Sequence, residues 1–268
     1  MSGKRWRYVA MGLSLGLVLD ASALQAQSGV TDSGKAAAAN LNLGVAYFRA
    51  GNLPLAKDKL ERARDQDPKN ATVHDTLGLL YARLGDDARA DAEFNTALRL
   101  TPGDPELANN YAVYLCGHGK VDAGVKRFEQ AAANALYKTP WVAWTNAGFC
   151  LRGVGRDAEA AVQYERALKA QPSFAEAVYQ YAEMELAQQK AAAAYRRVDA
   201  YLSANPKATA ELLMVGWRAA RAQGDQLAAL KLARRLQTDF PNSAQTLAVV
   251  GNVESGSSNI RAGGNGSR

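Results

Sequence analysis

The chain has 268 residues, a formal net charge of +6, aromatic residues at 8% and two cysteines. Its charges alternate in sign along the chain, as in Lys57-Asp58-Lys59 and Glu61-Arg62. This is the pattern of solvated helix faces, not of the basic patch that nucleic acid requires, so no nucleic-acid partner is expected. Abundant alanine and leucine favour helix, because alanine loses no side-chain entropy there.

The first 26 residues stand apart. Lys4, Arg5 and Arg7 make a basic start, Val9 to Leu19 is an uncharged apolar run of 11 residues, and Ala21-Ser22-Ala23 and Leu24-Gln25-Ala26 each end in a small residue. This is the layout of a secretory signal, and the run falls short of the roughly 20 residues that span a bilayer. Cleavage is expected after Ala26 or else after Ala23, with an uncleaved anchor as the alternative. Residues 27–36 read as a linker.

A repeat begins at residue 37. Gly44 and Gly78, Tyr47 and Tyr81, Ala56 and Ala90, Ala63 and Ala97, and Pro68 and Pro102 are each 34 residues apart. Phe94 and Phe128 continue the step. After a two-residue slip near Leu136, a second phase carries Gly148, Ala160, Tyr164, Ala167 and Pro172, and Pro206 lies 34 residues beyond Pro172. The pattern of a small residue within the first helix, an aromatic three later, then alanine, a bulky residue, alanine and a closing proline resembles the tetratricopeptide repeat (TPR). The fold class expected is an all-α TPR superhelical solenoid of six helix-turn-helix units, spanning 37–70, 71–104, 105–140, 141–174, 175–208 and 209–242. The last two are degenerate, as terminal repeats often are. Small residues let the paired helices approach, bulky ones fill between pairs, and prolines stop the second helix. Gly51, Gly85, Gly119, Gly155 and Gly224 fall where a left-handed helix cap suits glycine. From 243 the chain reads as a C-terminal extension. From about 254 it is rich in Gly, Ser and Asn and expected to be disordered.

Catalytic signatures are lacking. His74 and His118 stand in no metal-ligand spacing, there is no Gly-x-Ser-x-Gly elbow, and Gly153-Val154-Gly155 lies at a helix-helix turn. The chain is therefore read as a non-enzyme without cofactor, metal or small-molecule substrate. In a TPR array, positions 2, 5, 9, 12 and 13 of the first helix line a concave groove that takes a peptide or protein surface. Groove candidates on this basis are Phe48, Arg49, Leu79, Arg83, Asn109, Val113, Phe149 and Arg152, the arginines being placed to clamp carboxylates. Cys116 and Cys150 lie late in the first helices of successive units. They are read either as a disulfide, favoured outside the inner membrane, or as two buried free thiols.

Three blocks carry a further resemblance. Asn109-Asn110-Tyr111-Ala112-Val113-Tyr114-Leu115-Cys116-Gly117 resembles the Asn-Asn-Tyr-Gly…Leu-Cys stretch of the PilF/PilW family of type IV pilus biogenesis proteins. Ala135-Leu136-Tyr137-Lys138-Thr139-Pro140 and Asn146-Ala147-Gly148-Phe149-Cys150 are similar to that family in the same order. The matching cysteines support their pairing. The resemblance implies an outer-membrane pilotin that helps the pilus secretin, the outer-membrane ring passed by the fibre, to assemble or localise. Two departures stand out: Ala112 replaces a glycine, and there is no lipobox cysteine, since the first cysteine is Cys116. The expectation is then a periplasmic factor, associated with the outer membrane through its partner, the secretin. A general periplasmic TPR adaptor is the alternative.

Overall fold

The structure, a computed structural model, describes residues 32–250. The stretch expected to be a signal at 1–26 and the tail expected to be disordered from about 254 lie outside the described residues. Those residues divide after Tyr137 into two compact units. The division falls at the two-residue slip of the repeat, where residues 134–139 form the connection between helices.

The first unit holds α1 (Asp32–Arg49), α2 (Leu53–Gln66), α3 (Ala71–Leu84), α4 (Asp87–Leu100), α5 (Pro105–Gly117) and α6 (Val121–Ala133). The second holds α7 (Pro140–Gly153), α8 (Asp157–Ala170), α9 (Ala175–Ala187), α10 (Ala191–Ala204), α11 (Ala210–Ala222) and α12 (Gln226–Asp239). Among the described residues there is no strand. Each odd-numbered helix packs on the even-numbered helix after it. Odd-numbered helices also pack side by side, α1 on α3 and α3 on α5 in the first unit, α7 on α9 and α9 on α11 in the second.

Local chemistry sets the helix ends. Asn52, Asn70, Asp86, Asp104, Thr209 and Asp225 each accept a backbone N–H of the following helix, satisfying donors that have no partner inside it. Pro68, Pro102, Pro172, Pro206 and Pro241 each stand two residues beyond the end of an even-numbered helix. Gly51, Gly85, Gly119, Gly155 and Gly224 adopt positive φ between 74° and 84°. The fifth unit of the repeat has Gln189 at the corresponding turn, with φ 61°, although a side chain is strained there.

The stretch expected to be a linker at 27–36 is corrected in its second half, because α1 begins at Asp32. Lys35 and the four alanines after it are strong helix formers. Ser33 Oγ donates to the Gln66 carbonyl at 2.9 Å, and Asn40 Nδ2 donates to Gln66 Oε1 at 2.9 Å, fastening α1 to the end of α2. At the other end residues 244–250 are helical. Ser243 Oγ caps that turn by accepting the Thr246 N–H at 3.1 Å, and Val249 is buried with Trp217 and Leu236.

Inside each pair, small residues match large ones. A Cβ at Gly44 would lie 2.6 Å from Leu60, at Gly78 2.8 Å from Phe94, and at Gly148 2.6 Å from Tyr164, so any larger residue would force the facing side chain to move. These pairs have alanine at position 20 of the unit: Ala56, Ala90 and Ala160. In α5 and α6 the arrangement is inverted, with Ala112 at position 8 and Gly124 at position 20. A Cβ on Gly124 would meet Cys116 Sγ at 2.5 Å and the Ala112 carbonyl oxygen at 3.0 Å. The glycine has moved to the partner helix, which keeps α5 and α6 close despite the extra methyl.

Candidate protein-binding face

In the first unit the odd-numbered helices bring the candidate residues onto α1, α3 and α5. Phe48 and Leu79 are half-buried and pack against the core formed by Leu77, Tyr81 and Phe94. Arg83, exposed, lies over the Phe48 ring at 5.6 Å from its centroid, so these two candidates meet. Arg49 is exposed, while Asn109 and Val113 are half-buried on α5.

Between α3 and α5 sits a residue of different character. Asp75, at position 5 of its unit, is 6% exposed. Its Oδ2 accepts a hydrogen bond from Asn110 Nδ2 at 2.8 Å, while its Oδ1 is buried without any donor. Burial pushes its carboxyl up to about 7, opposed by the Asn110 bond and helped by the charges of Asp104 and Glu106. The sequence signal for this residue is a charge at a position where other units carry Leu41, Asn109, Thr145 or Tyr179.

An aromatic layer stands behind this face. Phe94 lies 5.3 Å from Tyr111 and 5.2 Å from Tyr114, ring centre to ring centre, joining α4 to α5. The Tyr111 hydroxyl donates to Asp91 at 2.8 Å; burial and that carboxylate push the phenol up to about 12. His74 of α3 is placed between Glu93 Oε2 at 2.5 Å and the Pro68 carbonyl at 3.0 Å. The Glu93 contact raises the affinity of the imidazole for its proton.

In the second unit Phe149 and Arg152 are half-buried on α7. The Arg152 guanidinium is held by α9, donating to the Gln180 carbonyl at 3.4 Å and its Oε1 at 3.3 Å. Gln180 in turn donates to Glu176 Oε1 at 2.8 Å, and burial raises the Glu176 carboxyl. Glu183 pairs with Arg218 of α11 at 2.5 Å. Behind the face, buried Glu185 accepts both Arg197 Nε at 3.0 Å and Nη2 at 2.7 Å, and the guanidinium lies 3.5 Å over the Tyr181 ring. Cys116 of α5 and Cys150 of α7 are disulfide-bonded, so the free-thiol alternative does not hold. No helix among the described residues is long and apolar enough to cross a membrane.

The tetratricopeptide-repeat family model matches residues 20–71 and 41–105. With its helix pairs, small-large matching and glycine-capped turns, the chain is an all-α tetratricopeptide-repeat protein. It is similar to the type IV pilus assembly protein PilF of Pseudomonas aeruginosa, 24% identical over 217 residues that cover 80% of this chain and 86% of that protein. The crystal structure of PilW, described as a widely conserved type IV pilus biogenesis factor, is 29% identical with a TM-score of 0.65, covering 80% of this chain and 98% of PilW. The structure of P. aeruginosa PilF shares the fold with a TM-score of 0.63 at 22% identity, over 83% of this chain and all of that one. Within that class, then, the chain is similar over most of its length to the type IV pilus biogenesis factors PilF and PilW.

Proposed function

We propose that the chain is a non-enzymatic TPR scaffold of the cell envelope that binds a partner protein and supports type IV pilus biogenesis by aiding secretin assembly or stability. The observation that carries this reading is similarity to PilF and PilW over nearly their whole length. A likeness confined to two or three repeats would speak only for the helix pair. Each unit offers its own candidate face: α1, α3 and α5 with apolar Phe48, Leu79 and Val113 in the first, and α7 and α9 with Phe149 in the second. The apparent signal at 1–26 supports export, and the two oxidised cysteines suit an oxidising compartment. We place the protein in the periplasm, held near the outer membrane by its partner.

Deletion of the gene in its host, followed by twitching motility and counting of surface pili, tests this reading. Loss of both, restored by the wild-type gene, is the expected result. Normal pili and motility would overturn it and leave a general periplasmic adaptor.

A further inference from the structure

Asp75 breaks the rule that a buried carboxylate oxygen is satisfied by donors. It sits in the packed seam between α3 and α5, where one oxygen has Asn110 and the other has nothing. Two more carboxylates stand at the start of α5. Asp104 caps that helix through Oδ1, accepting the N–H groups of Glu106 at 2.9 Å and Leu107 at 3.2 Å. Glu106 is exposed one turn before Asn109 and Asn110. No ion pair within 4.0 Å neutralises Asp75, Asp104 or Glu106 among the described residues, whereas other carboxylates of this unit are paired, Glu93 with Arg64 and Asp86 with Arg89. The three carboxylates do not converge as a metal site would, no such group being present among the described residues. What the seam lacks is a positive group with an N–H to give Asp75 Oδ1.

We infer that this acidic seam receives a lysine or arginine side chain of a bound protein segment. The inference rests on the reading that a partner lies along the first-helix face, and adds what that partner must carry. Glu106 attracts the cation at the rim. Asp75 Oδ1 accepts one of its N–H groups after a small rotation of the carboxyl, with Oδ2 still held by Asn110. The counter-charge then offsets the desolvation that Asp75 suffers alone.

The test is selection of random displayed dodecapeptides on the purified chain with its disulfide intact. Peptides enriched in Lys or Arg are expected. Affinity of a selected peptide should fall a few-fold with Glu106→Gln and on the order of 30-fold with Asp75→Asn, as buried and rim charges differ in weight, with circular dichroism unchanged in both. Substituting the peptide's own basic residue should remove the difference between wild type and Asp75→Asn. Failure to select any peptide, peptides without basic residues, or equal binding by wild type and both variants would overturn the inference. Secretin plays no part in this selection, so a failed pilus role and a failed basic-residue site give different results.

Discussion

The buried carboxyl of Asp75 makes stability depend on pH in a direction that one substitution isolates. Its ordinary value of 3.8 is pushed up to about 7, chiefly by burial. Between those values the folded chain keeps a proton that the unfolded chain has lost, so stability falls as pH rises through this window and stays low above it. The interval corresponds to about 4 kcal/mol at full ionisation, given roughly 1.4 kcal/mol per tenfold change. Asp75→Asn keeps the shape and an oxygen for Asn110, but cannot ionise. Chemical unfolding followed by far-ultraviolet circular dichroism should find the variant more stable than wild type by about 2–4 kcal/mol at pH 8. At pH 4 the two should be nearly equal. His74 and the surface carboxylates titrate in both proteins, so the difference between them reports Asp75 alone. A difference that does not change with pH, or a wild type that is more stable at pH 8, would refute the reasoning.

Gly124→Ala drives a methyl against Cys116 Sγ and the Ala112 carbonyl. It should cost about 1–3 kcal/mol in the same unfolding assay, part of which Ala112→Gly recovers. Arg197→Ala strands the buried Glu185 and should cost about 3 kcal/mol, with most of the loss regained when both residues are replaced by methionine. Gln189→Gly relieves the one positive φ held by a non-glycine residue among the described residues and should add about 1 kcal/mol to stability, read as a higher melting temperature.

The helix pairs were legible because each repeat position answers a local demand. Gly78 is small because Phe94 faces it, and Pro102 stands where a helix must stop. Those demands recur at a spacing of 34, which makes them visible without knowing any distance. Where the demand was met differently, the pattern concealed it. Gly124 compensates for Ala112 across two helices, and Gln189 takes a glycine's conformation without being one. The start of α1 was hidden because residues 32–36 precede the first recognisable repeat position. The candidate face was legible only as a set of helix positions. Position alone does not say that Arg152 is already engaged by Gln180, that Arg83 rests on Phe48, or that Asp75 is sealed between two helices. Those facts, the burial of Asp75 against Asn110 of α5 among them, depend on side-chain reach and on what the neighbouring helix presents.

The most direct test of a role in secretin assembly is the state of the secretin in the deletion strain, read as heat-resistant multimers against monomer on a denaturing gel. Multimers should be lost while monomer persists, and should return when the wild-type gene is restored. Multimers at wild-type abundance in the absence of the protein would contradict the role.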